Sequence, residues 1–99
     1  DHVEHVRKVA GIDHVGIGSD FDGIEQTPAG LEDVSKFPDL LAELARRGWS
    51  DDELRKVARL NLLRAFRRAE EVAARLQRER APSVRTIAEL DGPAARPVP

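Results

Sequence analysis

Ile12-Asp13-His14-Val15-Gly16-Ile17-Gly18-Ser19-Asp20-Phe21-Asp22-Gly23 decides how the rest of this chain is read. A short apolar run ends in two carboxylates and a glycine. Lying between a helix stop and an acidic turn, it predicts a buried strand over residues 12–18. The run has no polar alternation, which favours a parallel strand covered on both faces. Strand C-termini are where α/β folds keep their chemistry. Asp20 and its neighbours therefore carry most of the functional information.

On the N-terminal side, Val3, Val6, Val9 and Ala10 share one face at helical spacing, and Gly11 stands where a helix-ending glycine belongs. On the C-terminal side, residues 19–35 form a long loop holding Gly23, Pro28 and Gly30. A loop longer than ~12 residues in a compact domain is often functional. Asp33 or Ser35 can cap the next helix, whose first turn suits Pro38 and whose stripe is Leu40, Leu41, Leu44 and Ala45. Gly48 stops it. Ser50-Asp51-Asp52-Glu53 is a capping box. It opens a long helix whose apolar side runs from Leu54 to Leu76 and includes Asn61, the alternative being a break near Leu60 with Asn61 capping a second helix. Ala81-Pro82 ends helical structure, Thr86 caps a short turn, and residues 93–99 are expected to be disordered. One parallel-type strand cannot satisfy its own backbone. The order predicts the last helix, strand and helices of an α/β protein whose other strands are absent.

Composition narrows the function classes. Ninety-nine residues allow one small domain or a piece of a larger one. The chain starts at Asp1 and has no Met, so a missing N-terminal part is expected. A net charge of -2 with Arg and Glu interleaved argues against a nucleic-acid partner. With no Cys there are no disulfides and no thiolate metal ligands. No apolar run approaches the ~20 residues of a membrane span. A cytoplasmic enzyme is expected, with an export signal upstream left open.

The acidic turn has three readings. An EF-hand loop fails, because Gly arrives too early and Leu31 stands where the closing Glu belongs. Ile17-Gly18-Ser19-Asp20-Phe21-Asp22-Gly23 is similar to the first motif of haloacid dehalogenase-type phosphotransferases. That motif opens its domain, however, and no later strand here supplies the Lys and second acidic pair the chemistry needs.

The third reading covers nearly the whole chain. Asp13 to Gly23 resembles the last barrel strand of the renal (membrane) dipeptidase family. The resemblance continues through Pro28-Ala29-Gly30-Leu31-Glu32-Asp33-Val34-Ser35-Lys36-Phe37-Pro38, then Leu40-Leu41-Ala42-Glu43-Leu44, Arg47-Gly48-Trp49-Ser50 and Asn61-Leu62-Leu63-Arg64. The tail is similar too, in Ala81-Pro82-Ser83 and Ile87-Ala88-Glu89-Leu90. Arg59-Leu60, before Asn61, departs from the small or turn-forming pair expected there.

The resemblance implies an α/β fold, the C-terminal fragment of a (β/α)8 TIM barrel of the amidohydrolase type. Residues 1–80 would be its last helix, eighth strand (12–18), active-site loop (19–35) and closing helices (36–80), with 81–99 a tail. It implies a binuclear zinc dipeptidase whose metal ligands lie on earlier strands, outside this chain, so that the isolated fragment is inactive. His2, His5 and His14 are not promoted to ligands. Asp20 is the one catalytic residue carried over, helping to pass a proton to the leaving amine. On spacing alone an Asp here is a turn or cap carboxylate. Asp22 is read as holding the loop by an Asx-type turn, and Trp49 as anchoring the turn between two outer helices. The implied partners are a dipeptide substrate and the remainder of the barrel, and the Leu54 to Leu76 stripe leaves a homo-oligomer open. A small helical interaction module built on that stripe is the alternative of a different class.

Overall fold

In a computed structural model, which describes residues 1–92 (the backbone alone at Asp91), the chain is helical. The predicted disorder of residues 93–99 lies outside the described residues. The chain divides into two compact units, Asp1–Arg68 and Ala69 onward.

The first unit begins with α1, His2–Ala10, which Gly11 ends at φ 88° while its N–H donates to Arg7 O. Helix α2, Phe37–Arg46, follows a 3₁₀ turn at Val34–Lys36 that Asp33 caps by accepting from Ser35 N at 2.8 Å. The end of α2 is a Schellman motif. Trp49 N donates to Leu44 O at 3.1 Å, Gly48 N donates to Ala45 O at 3.0 Å, and Gly48 takes φ 89°. The apolar contact that accompanies this motif is Trp49 with Leu44, both buried. Ser50 then starts α3, Asp51–Arg55, with both halves of the capping box formed. No break follows. The chain passes through a π-helical turn, Lys56–Leu60, into α4, Asn61–Glu79. The boundary between the units falls within α4.

Val15, Leu44, Trp49 and Val57 form the buried cluster of this unit, with Val3, Ile12, Ile17, Leu41 and Leu54 packed around it. Ionic contacts rim it. Arg7 stacks 4.5 Å above the Trp49 ring and pairs with Glu53. Arg47 reaches Asp1 at 2.7 Å, Glu4 at 2.5 Å and Glu43 at 2.7 Å, tying α1 to α2. Much of the predicted stripe of α4 is not core. Val57 and Asn61 are buried, but Leu62 is 71% and Phe66 62% exposed.

The strand expected over residues 12–18 is not formed. Ile12–His14 is a 3₁₀ turn, and residues 15–20 carry no paired strand structure. A strand needs a ladder partner, and the described residues contain none. Three backbone carbonyls of this segment are met instead by side chains of α4: Asn61 bonds those of Ile12 and Val15, and Arg64 bonds that of Asp13.

The second unit holds the rest of α4 and α5, Ile87–Asp91. Thr86 caps α5 as expected, with Thr86 N donating to Glu89 Oε2 at 2.7 Å and Glu89 N to Thr86 Oγ1 at 3.4 Å.

Candidate active site

Asp20 stands where the extended run gives way to a turn. It is the one non-glycine with positive φ among the described residues, at 53°. That region is sparsely used by side chains other than Asn and Asp. The turn closes when Gly23 N donates to Asp20 O at 2.9 Å. The Asp20 carboxylate lies over Gly23 itself. A Cβ at that glycine would come within 2.9 Å of Asp20 Cγ and Oδ2, and closer still to Oδ1. Gly23 therefore serves the carboxylate by having no side chain, which is a steric demand more than a conformational one.

The surroundings keep the loop in place and leave Asp20 open to solvent. The Phe21 and Phe37 rings sit 5.7 Å apart and tilted by 30°, which ties the turn to the start of α2. Further along, Leu31 N donates to Pro28 O at 3.0 Å and Gly30 N to Glu32 Oε1 at 2.6 Å. The Gly30 amide holds the Glu32 carboxyl below its ordinary range. Asp22 is exposed beside Asp20. Two concave regions of the surface lie elsewhere, one near Leu76 and Pro82, the other between Val3, Leu31 and Leu40.

Upstream, the segment feeding Asp20 is gripped from the other side. Asn61, 6% exposed, donates through Nδ2 to Ile12 O at 2.6 Å and to Val15 O at 2.9 Å. Its Oδ1 accepts from Arg64 Nη1 at 3.1 Å, and Arg64 Nη2 donates to Asp13 O. Lys56 Nζ pairs with Asp13 Oδ1 at 2.7 Å, and this lysine holds the Asp13 carboxyl below its ordinary range. Sequence reasoning missed this cluster. Its signal was a lone amide in an apolar stripe, which reads equally well as a cap. Trp49 does anchor the turn between α2 and α3, and its buried Nε1 has no hydrogen-bond partner among the described residues.

His2, His5 and His14 are all exposed. Among the described residues, no three His, Cys, Asp or Glu side chains are placed to hold a metal ion. No helix among them is long and apolar enough to cross a membrane.

Comparison with known proteins adds the following. Residues 1–80 match the family described as Membrane dipeptidase (Peptidase family M19). The chain is 51% identical over 79 residues to the protein named Dipeptidase ataJ of Aspergillus terreus, covering 80% of this chain and 19% of that protein. It is 52% identical over 77 residues to Dipeptidase verJ of Clonostachys rogersoniana, covering 78% of this chain and 20% of that protein. The chain thus spans about a fifth of the length of the curated relatives it matches.

Proposed function

The chain belongs to the membrane dipeptidase family, peptidase family M19, and from that membership we propose that it is the C-terminal part of a zinc-dependent dipeptidase built as a (β/α)8 barrel. The observation that carries this reading is the family match over residues 1–80, whose relatives at half identity are named dipeptidases. In this reading residues 1–80 are the end of the barrel and 81–99 a tail. The activity belongs to the longer protein, and the 99-residue chain alone is inactive. The helical-module and phosphotransferase readings are not favoured, since the matched family and relatives are dipeptidases.

The described residues do not fit a metal centre by themselves, because no three candidate ligands converge. The two zinc ions are therefore assigned to ligands outside this chain. What this chain contributes is Asp20. Its carboxylate accepts a proton and hands it to the amine that leaves when the peptide bond breaks, general acid–base work worth roughly 10²–10⁴-fold in rate. It is also the charge that suits the free ammonium of a dipeptide. The bare Cα of Gly23 leaves the carboxylate its place.

The test is to assay the full-length protein for amine release from a panel of dipeptides and their N-acetylated forms. Hydrolysis confined to free dipeptides, abolished by a chelator and restored by zinc, is expected. No hydrolysis of any dipeptide by the zinc-loaded protein would overturn the reading.

A further inference from the structure

We infer that Asn61 and Arg64 are positioning residues for Asp20: by holding the backbone of residues 12–15 they set the position from which the run to that carboxylate leaves. The inference rests on the proposed role of Asp20.

Asn61 is the buried polar residue on an otherwise apolar helix face. Burying an amide there is costly unless its hydrogen bonds are made, and an apolar side chain would fill the same space without that cost. Both Nδ2 bonds go to main-chain carbonyls, of Ile12 and Val15. The third contact, Arg64 Nη1 on Asn61 Oδ1, fixes which way the amide faces. Arg64 then takes the carbonyl of Asp13 with its other nitrogen. Three carbonyls within four residues are thus claimed by two side chains one turn apart. That arrangement fixes the 3₁₀ turn Ile12–His14 and the extended Val15 after it at three points of the backbone, so the run toward Asp20 leaves from a set position.

The helix is altered where this grip begins. Asn61 N donates to Lys56 O, five residues back, closing the π turn Lys56–Leu60. A π turn is rare and changes the facing of the residues that follow it, and such turns concentrate at functional sites. Val57 and Val15 pack in the same buried cluster beside it. Beyond Val15, Gly16 and Gly18 have open space around them, and Ile17 alone of residues 16–18 packs against the core.

A double-mutant cycle in the full-length dipeptidase tests this. Asn61→Ala is made in the parent and in the Asp20→Asn background, with kcat and KM measured on one dipeptide. Arg64→Gln, at an exposed side chain, is the second variant should Asn61→Ala fail to fold. Misplacing a catalytic group by about 1 Å can cost on the order of 100-fold. The expectation is a fall of about tenfold or more in kcat in the parent with KM little changed, and less than about twofold in the Asp20→Asn background. Equal losses in both backgrounds would mean a general structural role and overturn the inference, as would no loss in the parent. If Asp20→Asn itself leaves kcat unchanged, the proposed role of Asp20 fails and the inference falls with it. Single-variant kinetics separate that outcome from the others.

Discussion

Asp20 takes a left-handed backbone conformation at φ 53°. That conformation costs an ordinary L-residue roughly 1–2 kcal/mol, and Asp and Asn visit it most readily. Asp20→Asn therefore changes the acid and spares the backbone. Gly23 is the complementary position. Its φ is not positive, so glycine is not required there for conformation, yet a Cβ would crowd the Asp20 carboxylate. The residue that gives way is Asp20, not the core. Gly23→Ala in the full-length protein should lower kcat for dipeptide hydrolysis by about tenfold or more, as a misplaced catalytic group does, with little change in melting temperature. Unchanged turnover would mean that the position of the carboxylate is immaterial. The acid–x–acid–Gly pattern was legible in the sequence because it is local. The reason for its glycine was not, because it depends on where a side chain three residues away comes to lie.

The helix ends were the most legible elements. The Gly48 stop, the Ser50 box and the Thr86 cap each depend on residues within one turn of one another. Glu53 shows what such a cap does with charge. The Ser50 N–H, joined by Arg7, holds its carboxyl below the ordinary glutamate range. A lowered folded-state pKa stabilises above the ordinary range, and the contribution is lost as pH falls through the lowered value. Glu53→Gln keeps the capping geometry and removes the charge. The urea midpoint of that variant should lie below the parent's at neutral pH, and the gap should close on acidification. A gap of constant size from neutral to strongly acid pH would contradict this. The strand over 12–18 and the single π turn were not legible. An apolar run can be read as a strand from periodicity, but a strand exists only where another chain segment offers its N–H and C=O groups. Here the side chains of Asn61 and Arg64 answer instead, from 46 or more residues away in sequence.

At the scale of the whole molecule, the first unit buries four apolar side chains among its described residues, and the exposed Val9, Leu62 and Phe66 remain uncovered. The ordering of each residue costs roughly 1–2 kcal/mol of backbone entropy, so a core this small holds little in reserve. The isolated 99-residue chain should unfold over a broad temperature range and show no dipeptide hydrolysis with zinc added. A sharp cooperative melt with activity would mean that the chain is sufficient by itself. Family membership was legible because the matching blocks are separated along the chain and keep their order. The ligands of the proposed metal centre were not, since among the described residues no candidate set converges. The most direct measurement is kcat for dipeptide hydrolysis by the full-length protein carrying Asp20→Asn, beside its parent. A fall of roughly 10²–10⁴-fold is expected in a protein that remains folded, whereas turnover within about twofold of the parent would contradict the role given to Asp20.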